Sequence, residues 1–217
     1  MSNSSVATAA LVEQAISPPR LGPYRAAVGG DLQRAVQLYR WNATVSASFW
    51  EVLGHGEVFL RNAINNALVT AHHRHAAAGD WFDDPRGVLT ARARADIDEA
   101  RRRAGTSAPA GKVVAELNFG FWRFLLARRY TSTLWPAIRH AFPRLPRGRR
   151  NPQVIEEPVI RLHTLRNRIA HHEPLLSIPL HDRVDDLRFV LDAIDPRLRA
   201  WAMDDDTRLL GLLTHRP

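Results

Sequence analysis

Between Asp31 and Leu68 the apolar residues recur every three or four positions, the interval that places them on one face of an α-helix. Leu32, Ala35, Val36, Leu38 and Tyr39 begin the stripe, and Phe49, Trp50, Val52, Leu53, Val58, Phe59, Leu60, Ile64, Ala67 and Leu68 continue it. Asp31, after Gly29-Gly30, is placed as the N-cap. The Ser-, Thr- and Asn-rich stretch from Asn42 to Ser48 predicts a break or bend within this long helix. Alternation with a strand's two-residue period is hard to find elsewhere, so the fold class is all-α.

Shorter helices are predicted around that element. Residues 1–8 read as a loose tail, and Ala9–Ser17 as a short helix stopped by Pro18-Pro19. A Gly- and Pro-punctuated loop over 76–87 leads to a charged helix over Leu89–Arg103, and Gly105–Gly111 breaks the chain again. Val113–Arg128 carries an apolar stripe with Gly120 inside it, and Ser132–Phe142 reads as a further helix. Asn151 caps, and Pro152 begins, a helix running to His172 that Pro158 is expected to kink. Leu175–Leu180 is a linker, Asp182–Ile194 is helical, and Asp195 caps another helix starting at Pro196. Three segments follow: a tail and short helix over 1–19, a main helical domain over 20–180, and C-terminal helices over 181–217 packed on it.

Composition excludes several chemistries. The 217 residues contain no cysteine, which removes disulfides, iron–sulfur sites, a thiolate nucleophile and any Cys-ligated zinc. Nucleotide, hydrolase and zinc-protease signatures are absent; Gly54-His55-Gly56 lies inside a helical pattern, without the strand a phosphate loop needs. His72 and His75 share a helix face but have no carboxylates in register, so no metal site and no cofactor are expected. No apolar run would span a bilayer and no secretory signal is evident, which predicts a cytoplasmic protein without membrane partners. The charge is +8, from 30 basic and 22 acidic residues, and Lys112 is the only lysine. Arg101–Arg103 and the basic connector over 143–152, with Arg147, Arg149 and Arg150, therefore point to a polyanionic partner, although a solvated surface accounts for each alone.

The most informative segment is Arg161–Pro174. Leu162, Leu165 and Ile169 keep a core-facing stripe, while His163, Asn167 and His171, four apart, line another face. Cations and imidazoles complementing the negative helix end fit the same residues. Arg166 and His171 lie roughly 140° apart on an ideal helix, so they share a face only if the helix loosens, the arginine reaches round, or a second protomer contributes.

Arg166-Asn167-Arg168-Ile169-Ala170-His171 resembles the R-x4-6-H motif of HEPN-superfamily proteins, and RNRIAHHEPLL is similar to the Abi-like (abortive-infection, Abi-D/F type) branch of that superfamily. Two further blocks occur in the expected order. Residues 38–68 resemble the branch's N-terminal block, with a Tyr–Trp–Asn cluster followed by Glu57 and Arg61-Asn62, and ELNFGFWRFLL over 116–126 resembles its central block. The resemblance covers roughly residues 20–175 and stops there.

It implies a HEPN-like helical bundle with additional helices that forms a homodimer with the motifs facing one another. It implies a metal-independent endoribonuclease, a toxin of phage defence or of a toxin–antitoxin pair, whose partners are RNA (tRNA among the candidates) and an antitoxin. Arg166, Asn167 and His171 take the catalytic roles, with His172 in reserve if the register slips by one. Glu57, Arg61, Asn62 and His163 are supporting candidates. RNA brings its own nucleophile, the 2′-OH, so a histidine that exchanges protons near neutrality and an arginine fork on the phosphate suffice. Glu57 and Arg61 also read as a simple i,i+4 helix ion pair, and Tyr39, Trp41, Trp50 and Trp122 as core aromatics. Two alternatives remain: a non-catalytic HEPN module binding RNA or protein, and a helical DNA-binding regulator resting on charge alone.

Overall fold

A computed structural model describes residues 3–75, 78–146, 148, 151–204 and 206–217, and the fold is all-α, with no strand among the described residues. Its axis is one uninterrupted 43-residue helix, Leu32–Arg74, spanning about 65 Å at 1.5 Å per residue. The Asp31 carboxylate caps it by accepting from the Arg34 N–H at 3.0 Å. The predicted bend at Asn42–Ser48 does not occur. Thr44 and Ser48 donate their hydroxyls to the carbonyls of Arg40 and Thr44 without leaving the helix, and Asn42 spends its side chain on a distant partner.

In chain order the helices are α1 (Asn3–Ile16), α2 (Pro18–Ala27), α3 (Leu32–Arg74), α4 (Ala91–Ala104), α5 (Ala110–Glu116), α6 (Phe119–Leu125), α7 (Trp135–Ile138), α8 (Pro152–Ala170), α9 (Leu180–Ile194), α10 (Pro196–Ala202) and α11 (Asp206–Thr214). Two boundaries differ from expectation at the N-terminus. Helix α1 begins at Asn3 rather than after a loose tail, and Pro18-Pro19 opens α2 instead of merely stopping α1. Proline's fixed φ and missing N–H suit a first turn, and Ser17, at φ +84°, makes the corner. The Val113–Arg128 stripe is two helices, because Asn118 caps α6 by accepting from Phe121 N–H at 2.9 Å. Likewise Ser132–Phe142 contains only the short α7, flanked by 3-10 turns at Arg128–Tyr130 and Arg139–Ala141.

Asn151 caps α8 and Pro152 occupies its first position, and Pro158 lies buried inside the helix. Asp195 ends α9 and caps α10. One hydrophobic core runs from Leu21 to Leu213, with α3 touching α1, α2, α6, α7, α8, α9, α10 and α11. The C-terminal helices belong to that core: Trp41 Nε1 donates to the Leu212 carbonyl at 2.8 Å, and α9 lies along α8. There the buried Asp186 carboxylate binds Arg161 in a fork (2.9 and 2.5 Å) and Arg183 at 3.0 Å. No helix among the described residues is long and apolar enough to cross a membrane.

Candidate functional site

Helix α8 presents its motif to the middle of α3. Leu162, Leu165 and Ile169 are buried, which leaves Arg166 and Asn167 on the flank beside α3 and α6. Arg166 Nε lies 3.5 Å from Glu57 Oε2, and its guanidinium carbon is 5.2 Å from the centroid of the Trp50 ring. Glu57 is therefore not the i,i+4 partner of Arg61. Arg61 instead makes long hydrogen bonds to Asn62 Oδ1 and the Ala115 carbonyl, at 3.4 and 3.5 Å. Trp50 is also corrected: Trp41 and Trp122 are core residues, but Trp50 is 47% exposed and forms the platform under Arg166.

His163 and Asn167, one turn apart, touch as their spacing implies. The Asn167 Nδ2 lies 3.3 Å from His163 Nε2, so the amide donates to an unprotonated ring nitrogen. The half-buried ring stands edge-on to Phe119, centroids 5.5 Å apart, against the bare backbone of Gly120. A Cβ on Gly120 would come within 3.3 Å of Nε2 and 3.0 Å of Asn118 Oδ1, so the N-terminus of α6 takes glycine where the imidazole seats. Burial, then the charges of Arg123 and Arg166, push the His163 imidazole below its ordinary basicity and keep it neutral near pH 7. Arg123 belongs to the 116–126 block of the sequence but is not among its candidate site residues. Its Nε is buried without a hydrogen-bond partner among the described residues, its guanidinium covers Phe124 at 4.0 Å, and burial lowers its pKa.

The end of α8 does not loosen. The N–H of Glu173 donates to the Arg168 carbonyl at 2.8 Å and that of His172 to Ile169 at 2.9 Å, closing a Schellman turn. His172 takes the left-handed position at φ +54°, where glycine is usual and histidine is among the better-tolerated substitutes. Three side chains hold the turn: Arg168 pairs with Glu173 at 2.9 Å, Arg20 Nη2 donates to the His172 carbonyl at 2.9 Å, and Asn42 Oδ1 accepts from Leu175 N–H at 2.8 Å. His171 and His172 are exposed, and neither ring has a hydrogen-bond partner among the described residues.

Between α3 and this turn lies an open groove of about 580 Å³, lined by Tyr39, Asn42, Ala43, Ala47, Trp50 and His172, among others. His172 faces it; His171, one position earlier, does not line it. Trp50 belongs both to the groove and to the Arg166 cluster, so the arginine and the histidine end of the motif flank one surface. Arg166 and Asn167 are thus brought to Glu57, Trp50 and His163, while Asn62 stays exposed on α3. Arg147, Arg149 and Arg150 lie outside the described residues.

No family model, curated protein or solved structure matches the chain. The functional reading accordingly rests on the motif resemblance and the geometry. The site offers a cation steered by a carboxylate, an amide–imidazole pair, and two solvent-facing imidazoles at a helix end. Among the described residues no three His, Asp or Glu side chains converge as metal ligands.

Proposed function

We propose that the chain is a metal-independent endoribonuclease of the HEPN type, resembling the Abi-like branch and acting as a toxin in phage defence or beside an antitoxin. The observation that carries the reading is the shared Trp50 side chain, whose ring Arg166 covers and which lines one groove with His172. In the proposed reaction the ribose 2′-oxygen attacks the adjacent phosphorus and the P–O5′ bond breaks. One imidazole takes the 2′-OH proton and a protonated imidazole gives one to the departing 5′-oxygen, leaving a 2′,3′-cyclic phosphate and a 5′-OH. Arg166 stabilises the charge that builds on the phosphoryl oxygens, and Asn167 orients His163 beside it. On this reading His171, at the R-x4-H spacing, does the acid–base work, and His172, which lines the groove, is the reserve.

The groove also supports the dimer. Along α3, Ala43, Ser46 and Ala47 give a low stretch between Tyr39 and Trp50, onto which the same face of a second chain can close. That arrangement sets two motifs opposite one another and removes the 140° problem, because one chain's arginine serves phosphate held against the other's histidine. RNA, tRNA among the candidate substrates, is then cut in the cleft between protomers.

The test is cleavage of a labelled RNA pool, with products resolved by their 3′ ends. His171→Ala or His172→Ala should lower the rate by about 10²–10⁴-fold, without unfolding the protein, whichever imidazole acts. Arg166→Lys should also be poor, since a point charge replaces a planar fork. Chelators should leave the rate unchanged, and a 2′-deoxy substitution at the scissile nucleotide should block it. Cutting of that deoxy substrate overturns the mechanism, full activity in both histidine variants overturns the site, and a monomer at micromolar concentration overturns the shared cleft.

A further inference from the structure

The last turns of α3 border a second depression, distinct from the Trp50 groove. It is an open cavity of about 670 Å³ between α3, α7 and the start of α10, with a floor of Ala67, Ala71, Ala137 and Leu198. Arg74 and Arg86 stand on its rim, both exposed and neither ion-paired among the described residues. The one carboxylate lining it, Asp195, is already taken. Arg197 binds it through Nη2 at 2.6 Å and Nε at 3.0 Å, and Arg144 adds positive charge nearby, so the carboxyl is held well below the usual range.

This contrasts with the arginines that look most like a nucleic-acid patch in the sequence. Arg101 is paired with Asp83, Arg102 with Glu99, and Arg103 with Glu116 at 3.2 Å, so the run at the end of α4 is neutralised within the chain. Arg74 and Arg86, at the cavity, have no such carboxylate partner among the described residues. A small apolar floor with unpaired guanidinium groups on its rim matches one ligand chemistry well: an unstacked base with its flanking phosphates.

We propose that this cavity is a second RNA-binding site, which takes one base of a single strand on its alanine floor and grips the adjoining phosphodiesters with Arg74 and Arg86. The inference rests on RNA being the substrate of the Arg166 site. From Glu57 to Arg74 the rise along α3 is about 26 Å, a distance a single strand of several nucleotides spans, so one strand can reach both places. The cavity would then set which RNAs are held long enough to be cut, by demanding a single-stranded segment at a fixed distance from the scissile bond.

The experiment is fluorescence anisotropy of a labelled 12-nucleotide 2′-O-methyl RNA, which the proposed chemistry cannot cut, across a salt series. The full chain is compared with Arg74→Gln/Arg86→Gln and with a control of equal charge loss, Arg102→Gln/Lys112→Gln. Loss of two arginine–phosphate contacts should weaken binding about tenfold or more and flatten the salt slope by about 1.4, at 0.7 per phosphate. The control should change affinity less than about threefold. Melting curves should be unchanged, because Arg74 and Arg86 are exposed and unpaired. Equal losses in both variants, or no loss in the first, overturn the proposal. Repeating the comparison in Arg166→Gln separates the two readings. A protein that never cuts RNA but still loses affinity with Arg74 and Arg86 keeps the cavity and discards the nuclease. One that cuts RNA with unaltered affinity in the double variant does the reverse.

Discussion

Asn42 is the side chain on which the histidine end of the motif hangs, and removing it gives a calculable result. Its Oδ1 accepts from Leu175 N–H at 2.8 Å, joining residues 133 apart in sequence, and Leu175 is fully buried, so no solvent can replace the bond. In Asn42→Ala that N–H is left without a partner, which costs about 1–3 kcal/mol. Alanine's better helix propensity returns at most about 0.7 kcal/mol. A net loss of about 2 kcal/mol corresponds to a fall in Tm of about 4–8 °C for a chain of this size. Calorimetry measures the melt, and amide exchange followed by NMR reads the bond itself. Exchange at Leu175 should accelerate about 30-fold, since 1.4 kcal/mol is a factor of ten. His172 lies three residues before Leu175, so the same opening releases the left-handed turn that sets the imidazole at the groove. A Tm within about 1 °C of the parent, together with unchanged protection at Leu175, would show that the turn is held by something else.

Five further substitutions test the packing and the charge arrangement. Gly56→Ala places a Cβ 2.7 Å from Leu187 Cδ1 and should destabilise by about 1–2 kcal/mol in urea titration, whereas Gly54→Ala, with open space, should stabilise by up to about 1 kcal/mol. The native His163 takes up its proton at lower pH than the unfolded chain, whose ordinary value is 6.5. Stability from this group is thus complete above that pH and falls as pH drops below it, so Tm measured between about pH 5 and 8 should lose part of its acid-side slope in His163→Gln. Glu57→Gln breaks a partly exposed pair and should shift stability by less than about 1 kcal/mol. Asp186→Ala strands two arginines beside α8 and should cost about 3–5 kcal/mol, with chemical denaturation giving both values.

What was legible in the sequence is what is decided within a few residues. The caps Asp31, Asn151 and Asp195, the i,i+4 contact of His163 with Asn167, the apolar stripe of α8 and that of α3 except for the exposed Trp50 and Val58 stand where the spacing placed them. What was misread depends on partners far along the chain. Asn42 looked like a helix breaker because its acceptor oxygen serves Leu175, which no local pattern announces. Glu57 looked like the partner of Arg61 because four residues are easier to see than the 109 that separate it from Arg166. Trp50 looked like core because aromatic residues usually are, and its exposure follows from the small residues beside it that leave the groove open. Pro18-Pro19 carried two meanings, stop and start, and only the corner at Ser17 chooses between them.

The unbroken α3 sets a rule for how a chain like this can change length. From one rod Asn42 meets Leu175, Trp50 and Glu57 meet Arg166, and Asn65 meets Trp81, its Oδ1 accepting from Trp81 Nε1 at 2.9 Å. Inserting a single residue between Asn42 and Glu57 turns the two halves of the rod by about 100° and shifts them by 1.5 Å relative to one another, so Asn42 cannot meet Leu175 while Glu57 meets Arg166. Seven inserted residues nearly restore the angle but displace the far half by about 10.5 Å, which parts the same contacts by translation. Length variation is therefore excluded from α3 and diverted to the connections, such as the segment joining α3 to α4. Natural variants of this chain should differ there in residue number while keeping the 15-residue interval from Asn42 to Glu57 fixed.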